Sequence, residues 1–273
     1  MPLVASRHIT AFLDGEDSPD ISNPIHSTEV AAEYGFRAAL VGGVTVYGWF
    51  VPPILEALGE SWLDSGWVDV SFRRPVYPGD QMTAAVSGVP AGVAMEMTNG
   101  AGELCLHGTV GLGTPAWASE FSDVPFRSPV EAANPMPELS LDDAPIGREL
   151  RPMFVPLSVS EAETYADEKQ RDPHPRWRAP QPRLHPGWLA ARMTPLLKHS
   201  YRYGPSIHTR SRILHLGPGF AGVAVVVNGR FVAAFERKGH HYAVLDGLVS
   251  STEGEPIARL RHTTIFRIAR PAS

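Results

Sequence analysis

The sequence predicts an α+β protein in which a helix followed by an antiparallel sheet occurs twice. Three observations lead to this prediction. In each half of the chain, an apolar helix-like segment precedes several strand-like runs of alternating apolar and polar residues. A proline-rich stretch separates the two halves. The order of elements is the same on both sides of that stretch, which indicates a duplicated unit.

The composition limits the classes of protein to consider. The 273 residues, 43% of them hydrophobic, suffice for one large domain or two small ones. A net charge of -5 and scattered arginines argue against nucleic acid as a partner. The single cysteine, Cys105, excludes an internal disulfide and a multi-cysteine metal site. The N-terminus has no apolar stretch of signal-peptide length, so we expect a soluble cytoplasmic protein.

In the first half, residues 1–113, the apolar segment "AALVGGVTVYGWFVPPILEAL" is as long as a membrane span. Glycines and a Pro-Pro pair interrupt it, and basic flanks are missing, so we interpret it as a buried helix over about 43–59 and expect no membrane partner. Strand-like runs follow: "GWVDVSFRRPVYPGD", "MTAAVSG", "VAMEMTNGAG" and "LCLHGTVGLG". Asn99-Gly100, between two alternating runs, predicts a hairpin.

Residues 114–147 contain six prolines and no strong periodicity, which is typical of a linker crossing the outside of a fold. In the second half, residues 148–273, "HPGWLAARMTPLLKHS" predicts a helix around 188–197. Long alternating strands follow it, with turns predicted at "NG" and "KGH". His240 and His241 are adjacent on a strand and point to opposite faces, which argues against a metal site.

The stretch "DISNPIH", residues 20–26, combines an acid, an asparagine and a histidine. By itself it is typical of a helix start, with Asn23 as N-cap and Pro24 at the first helical position. Further motifs follow at Ala32, "GF" (35–36), Gly43 and "FRRPVYPGD" (72–80). Together they resemble the MaoC-like, (R)-specific enoyl-CoA hydratase family. The resemblance covers residues 18–112 well, whereas the second half is a degenerate copy with "RDPHP" and "LHPGWL" at the corresponding places.

The resemblance implies a double hotdog, with two antiparallel sheets each wrapped around a central helix. Residues 1–113 would form the unit carrying the motif, 114–147 the linker, and 148–273 the degenerate unit. It also implies hydration of a 2-enoyl thioester, or dehydration of a 3-hydroxyacyl thioester, without a metal or other cofactor. The substrate would be carried by coenzyme A or by an acyl carrier protein. A homodimer of double hotdogs is compatible with this prediction.

The family's motif implies specific roles for residues of the first half. His26 would act with a carboxylate on a water molecule, Asn23 would orient the loop, and the backbone N–H of Gly43, beside Gly42, would bind the thioester oxygen. The family's acid position is occupied here by Ile21. We therefore assign the acid to Asp20, one residue further away, with Asp14, Glu16 and Asp17 as substitutes from the same loop.

In the second half, Asp172 and His174 occupy the place of a second dyad, but the residues between them depart from the family's pattern. We expect this half to have a binding role instead, with Trp188, His185 and the 171–187 loop around Trp177 shaping the pocket. Arg73 and Arg74 are either contacts for coenzyme A phosphates or simply solvated.

Other functions stay open at this point. Ile21 and Gly42 favour a non-catalytic acyl-thioester binder, whereas the intact "NPIH" disfavours it. The altered motif also admits a related lyase or cyclase reaction. A thioesterase is a weaker alternative, because that chemistry usually uses a carboxylate on the central helix, and Glu56 lies toward the far end of that helix.

Overall fold

The computed structural model describes residues 3–89 and 92–270, and these form one antiparallel sheet of ten strands. The strands in chain order are β1 (Leu3–Thr10), β2 (Gly66–Phe72), β3 (Gln81–Val89), β4 (Gly92–Asn99), β5 (Leu104–Leu112), β6 (Met153–Val155), β7 (Ile207–His215), β8 (Val225–Arg237), β9 (His240–Ser251) and β10 (Pro256–Arg267). Across the sheet the order is β1-β3-β4-β5-β2-β7-β10-β9-β8-β6. Counted outward from the β2–β7 junction, both halves have the same strand order, so the predicted duplication is present.

The two antiparallel sheets predicted from the sequence form one continuous sheet in the structure, joined edge to edge at β2 and β7. β2 and β7 pair antiparallel, with Trp67 opposite Leu214 and Ser71 opposite Arg210. On the same strands, the Asp69 carboxylate accepts hydrogen bonds from Arg210 and Arg212 of the other half, at 2.7–3.0 Å. Each half therefore covers the strand edge that the other would expose, and the two sheets become one.

The predicted central helices are present, but each is divided by a turn. The described helices are α1 (Thr28–Glu33), α2 (Gly43–Gly48), α3 (Val51–Leu58), α4 (Trp62–Ser65), α5 (Val159–Thr164), α6 (Pro186–Ala190) and α7 (Met193–Ser200). The first central helix divides between α2 and α3 because Pro52 and Pro53 have no N–H to bond to the preceding turn. Pro195, in the first turn of α7, has no N–H to bond back to the end of α6, so the second central helix divides in the same way. In the part of the chain that the structure describes, no helix is long and apolar enough to cross a membrane.

Two apolar clusters hold the chain together. The large core includes Trp49, Phe50 and Ile54 of the first central helix, all fully buried. A smaller cluster joins Ile25, within the "NPIH" segment, and Leu40 to Ile265 of β10 in the second half. Because apolar burial favours this contact, the motif segment is held against the second half.

The turn predictions had mixed outcomes. β4 and β5 form the predicted hairpin, and Lys238-Gly239, with φ of 53° and 75°, turns β8 into β9. The predicted turn at Asn228-Gly229 is wrong, because β8 continues through it. A Cβ at Gly229 would lie 2.6 Å from Leu196 Cδ2, so this glycine permits close helix–sheet packing. Strand β1 was not predicted from the sequence.

The proline-rich segment packs on the sheet of the second half. Phe121 and Val124 are buried. The backbone N–H of Ser122 donates to the Asp246 carboxylate at 2.6 Å, and Arg259 donates to the Ser122 carbonyl at 2.9 Å. This arrangement is consistent with a connector crossing one face, while the residues at which the units begin and end stay predictions.

Candidate active site

A cavity of about 570 Å³ is lined by residues of both halves. The first half contributes the loop and turn from residue 13 to 26, the start of α2, and residues 72–76. The second half contributes residues from its central helix and from β7, β9 and β10, namely Ala191, Thr194, Ile207, His208, His240, Tyr242 and Ile265. The cavity therefore depends on both halves being present.

Asn23 lies at the start of a short 3₁₀ turn, residues 24–26, but its side chain makes no capping hydrogen bond there. Its amide instead bonds to the backbone of the second half: Nδ2 donates to the Ser206 carbonyl at 2.9 Å, and Oδ1 accepts from the Ser206 N–H at 3.0 Å. The other hydrogen of Nδ2 faces His26 Nε2 at 3.2 Å. The simple helix-cap interpretation of this residue therefore does not account for its side chain.

His26 is oriented from both sides of its ring. Nδ1 lies 2.6 Å from the Leu40 carbonyl, which can only accept, so Nδ1 carries the proton. Nε2 then holds a lone pair and accepts from Asn23. Burial lowers the pKa of His26, against opposing effects from the Leu40 carbonyl and the Asp14 charge. The imidazole is therefore neutral at neutral pH and has a basic nitrogen on the cavity side.

Two carboxylates, Asp14 and Glu16, are among the described residues that line the cavity with His26; Glu16 is exposed, and Asp14 is the one whose charge acts on His26. Thr45 Oγ1, in the first turn of α2, donates to Asp14 Oδ2 at 2.7 Å. Lys169 of the second half donates to the Asp14 carbonyl. A Cβ placed on Gly42 would lie 3.4 Å from Thr45 Oγ1 and 3.9 Å from His26 Nε2. Because Gly42 has no side chain, the space between the His26 imidazole and Thr45, which donates to the Asp14 carboxylate, is open.

The structure does not bring Asp20 to this cavity. Asp20 is exposed, and it is not among the described residues that line the cavity. Asp17 instead caps α1, accepting from the Thr28 N–H and hydroxyl at 2.6 Å each. Gly15, Glu16, Ile21 and Ser22 of the same loop line the cavity, whereas residues 17–20 are not among the described lining residues.

Gly43 opens α2 at the wall of the cavity. The first N–H groups of a helix have no partner within it, so this N–H is free to bind a ligand oxygen. A Cβ on Gly43 would lie 3.1 Å from His208 Cβ and Nδ1 and 3.3 Å from Phe72 Cζ. Only glycine permits this close approach without displacement of its neighbours.

The second-half residues predicted to shape the pocket lie elsewhere. Trp188 is buried and packs under the Arg192 guanidinium, 4.0 Å from its ring centroid. His185 and Trp177 are also buried, and none of these three is among the described lining residues. Within residues 171–187, Asp172, Trp177 and residues 184–187 are buried, whereas Arg171, Arg176 and residues 179–181 are exposed. Ala191 and Thr194 form the helical part of the wall.

Asp172 and His185 form a buried pair away from the cavity, with 3.3 Å between Oδ2 and Nε2. His185 Nδ1 accepts from the Gly187 N–H, so Nε2 carries the proton and donates to Asp172. Although burial favours the neutral carboxyl, hydrogen bonds from His185 and from the His174 N–H lower the pKa of Asp172. Burial lowers the pKa of His185. This pair is a structural contact at the start of α6.

Replacement of Asp172 by alanine is expected to reduce the free energy of unfolding by about 1–3 kcal/mol, because it leaves a buried His185 N–H without an acceptor. The matched control is Asp167→Ala, which breaks an exposed ion pair with Arg178 in the same segment and should cost less than about 1 kcal/mol. Urea unfolding at neutral pH measures both. Equal, small losses would contradict a stabilising role for the pair.

The remaining predicted groups are two arginines, Glu56 and the candidate metal ligands. Arg73 and Arg74 line the mouth of the cavity and are exposed. Arg73 donates to His107 Nε2 at 2.7 Å, and Arg74 lies 3.5 Å from Glu103. Glu56 is exposed and lies outside the described cavity lining. Within residues 3–89 and 92–270, no cluster of three or more His, Cys, Asp or Glu side chains has an arrangement that could hold a metal ion.

The sequence reasoning did not single out His208, Thr45 or Ser206 for the site. The family's motif contains no signal for them, since Ser206 acts through its backbone and His208 belongs to the degenerate half. One feature of the sequence pointed to His208. It lies on β7, the first strand after the second central helix, and the corresponding strand of the first half, β2, ends at Phe72, where the "FRRPVYPGD" motif begins.

Solved structures similar to this chain share its architecture over most of its length. A conserved hypothetical protein from Mycobacterium tuberculosis described as having a double hotdog fold has a TM-score of 0.61 and 14% identity, over 90% of this chain and 86% of that one. A MaoC-like dehydratase has a TM-score of 0.57 and 18% identity, over 91% and 90%. GphF dehydratase 1 has a TM-score of 0.55 and 17% identity, over 97% and 93%.

No protein-family model matches the sequence, and no curated protein matches it significantly. At identities of 14–18% the structural likeness concerns the fold. The resemblance to MaoC-like proteins found in the motifs therefore agrees with the architecture found in the structure. The chain has the double hotdog fold, which solved MaoC-like dehydratase structures share.

Proposed function

We propose that the protein is a hydro-lyase of acyl thioesters, which adds water to a 2-enoyl thioester or removes it from a 3-hydroxyacyl thioester. The observation that carries the proposal is the arrangement around Gly42. The His26 lone pair and the Thr45-bound Asp14 carboxylate flank an open space in a cavity that also contains the free N–H of Gly43. The structural neighbours named as dehydratases support this reaction class.

Hydration requires a proton to be taken from water and a proton to be given to the α-carbon. In the proposed reaction, His26 Nε2 takes a proton from the water as its oxygen bonds to the β-carbon. The electron pair of the double bond moves to the thioester oxygen and forms an enolate. The α-carbon then takes the proton from His26, which restores the carbonyl and the neutral imidazole. One proton is cycled, so no external acid is required.

Asp14 and Gly43 have supporting roles in this proposal. The Asp14 carboxylate accepts the second hydrogen of the water and stabilises the imidazolium, in keeping with its effect of raising the pKa of His26. The Gly43 N–H donates to the enolate oxygen at the start of α2, where the partial positive charge of a helix favours an anion. Asn23 and Leu40 hold the imidazole in the required tautomer.

The substrate's carrier is proposed to lie at the mouth formed by Arg73 and Arg74. Two exposed guanidinium groups there suit the phosphates of coenzyme A or the acidic surface of a carrier protein. The cavity interior is lined by apolar side chains, including Phe36, Ile265 and Tyr242, which suit an acyl chain. No metal or redox cofactor is required by this chemistry.

The test is the loss of 2-enoyl thioester absorbance with purified protein, for short and long acyl chains on coenzyme A and on acyl carrier protein. Hydration of at least one such thioester is expected. If none is hydrated but binding is measured by calorimetry, the non-catalytic binder takes the place of the enzyme. Cleavage or cyclisation of the thioester without hydration would support a related lyase or cyclase instead.

Gly42→Ala is expected to lower kcat by at least about tenfold while leaving the fold intact. The φ and ψ of Gly42, -58° and 131°, suit any L-residue. The added methyl makes only ordinary contacts but occupies the space between His26 and Thr45. Thermal melting and steady-state kinetics measure the two effects. The control is Gly15→Ala in the exposed part of the loop, where a Cβ meets nothing within 4 Å; equal kinetics for both variants would contradict a water site at Gly42.

A further inference from the structure

We propose that His208, from the second half of the chain, is a further catalytic residue that donates a hydrogen bond from Nδ1–H to the thioester oxygen alongside the Gly43 N–H. This inference rests on the proposed hydration chemistry and assigns the polarisation of the thioester to both halves of the protein. Four features of His208 support this role: the geometry of its strand, its tautomer, the neighbours of its ring and its charge.

The geometry of β7 turns His208 toward the cavity. Arg210 is paired with Thr263 and His208 with Thr264, so Thr209 is an extra residue in the ladder. Such a bulge places the side chains at positions 208 and 211 on the same face of the strand. His208 Nε2 accordingly lies 2.7 Å from Ser211 Oγ, and His208 lines the cavity.

The contact with Ser211 decides which ring nitrogen carries the proton. Ser211 is buried, and within the described part of the chain its hydroxyl has no acceptor other than His208 Nε2. A buried hydroxyl donates its hydrogen where an acceptor is available. The His208 proton is then on Nδ1, and this buried nitrogen has no hydrogen-bond partner among the residues that the structure describes. An unsatisfied donor at the wall of a cavity is the group that a substrate oxygen would satisfy.

The neighbours of the ring place this donor beside Gly43. A Cβ on Gly43 would lie 3.1 Å from His208 Nδ1. The imidazole packs between Phe72 and His262, with ring centroids 4.6 and 4.3 Å away. Gly43 thus permits the ring to approach the first residue of α2, and the two aromatic neighbours limit its rotation. Donors fixed in advance near a developing charge are effective because they do not have to reorient during the reaction.

The surroundings also keep the ring neutral. Burial, and next the neighbouring His262, hold the pKa of His208 well below its usual value, against an opposing effect of the Arg210 backbone. Burial lowers the pKa of His262 itself to about 4. A neutral imidazole can polarise a carbonyl by hydrogen bonding without transferring its proton. His208 therefore keeps its proton throughout the cycle, while His26 carries out the proton transfers.

The test uses acetoacetyl-CoA, whose enolate has its own absorbance band, as a probe of oxyanion binding that does not require turnover. Bound to the wild-type protein, it should be enolised at a lower pH than in solution. His208→Phe keeps a flat ring between Phe72 and His262 but removes the donor. It is expected to raise the enolisation pKa of the bound probe by about 1–2 units and to lower kcat for hydration by about 10²-fold, with little change in KM.

Two further variants separate catalysis from packing. His262→Phe is the matched control, because His262 stacks on His208 and is fully buried but is not among the described residues lining the cavity. It should leave the enolate band unchanged. His208→Gln keeps a side-chain N–H donor and should recover part of the enolate signal. If His208→Phe does not fold, His208→Met, which also lacks a donor, is compared in its place.

The outcomes distinguish this inference from the proposed function. Wild-type enolate absorbance and kcat in His208→Phe would overturn the role of His208 and leave hydration standing. A wild-type protein that stabilises the enolate through His208 but hydrates no 2-enoyl thioester would support His208 and overturn hydration. A wild-type protein that binds the acetoacetyl thioester neither of coenzyme A nor of acyl carrier protein would overturn both.

Discussion

Replacement of His26 by alanine is expected to lower kcat for 2-enoyl thioester hydration by about 10²–10⁴-fold, the usual contribution of a general acid–base group. The structure fixes the tautomer of this imidazole, because Nδ1 bonds to the Leu40 carbonyl and Nε2 carries a lone pair that faces the Asn23 amide. Burial lowers the pKa of His26. The acidic limb of the kcat/KM profile is therefore expected below pH 6.5, and it should disappear in His26→Ala.

The matched control is His240→Ala. His240 also lines the cavity, but its Nδ1 accepts a hydrogen bond from the Ala269 N–H at 2.9 Å, away from Asp14. A loss of less than about tenfold is expected, since general acid–base effects are far larger. Equal kcat in His26→Ala and wild type would mean that the "NPIH" segment serves packing alone.

The second large effect is expected at Asp14. Asp14→Asn retains the shape and the Thr45 contact but removes the charge, and should lower kcat by about 10²-fold. Asp20→Asn, in the same loop, should leave kcat within about twofold, because Asp20 is exposed and outside the described cavity lining. NMR titration adds an independent measurement. The pKa of His26 should fall further in Asp14→Asn, since the Asp14 charge raises it, and should be unchanged in Asp20→Asn.

The opposite outcome would favour Asp20 over Asp14 as the acid. If Asp20→Asn slows turnover and Asp14→Asn does not, the loop rearranges when substrate binds, and the assignment made from sequence proximity is the better one. If neither variant changes kcat, the carboxylate contribution is absent and His26 acts alone.

Local patterns were sufficient for much of the fold. Alternation and turn chemistry predicted the β4–β5 hairpin and the turn at Lys238-Gly239. Apolar segments with internal glycines predicted the two central helices. What local patterns do not contain is the partner of each strand. β1 is separated from β3 by some seventy residues, and the β2–β7 pair joins opposite halves, so both depend on long-range contacts.

The same distinction between local patterns and long-range contacts applies to the candidate site. His26, Asn23 and Gly43 belong to a contiguous pattern and were recognisable, although their roles stay predictions. The acid was predicted only to within its loop, with Asp20 preferred and Asp14 named as a substitute, because distance along a loop says little about distance in space and the contact of Asp17 with Thr28 has no signal in the sequence. His208 could not be recognised, because its orientation depends on a bulge opposite β10.

The paired hydrogen bonds between Asn23 and Ser206 have a consequence for how such a protein can evolve. At position 206, the side-chain amide of Asn23 bonds to the backbone N–H and C=O and not to the side chain. Every residue except proline supplies both of these groups. The orientation of Asn23, and through it of His26, is therefore indifferent to the side chain at position 206. A second half that drifts away from the ancestral motif can continue to support the first, provided that its backbone path is kept. Sequence divergence between the halves is thus a poor measure of whether the second half is still needed.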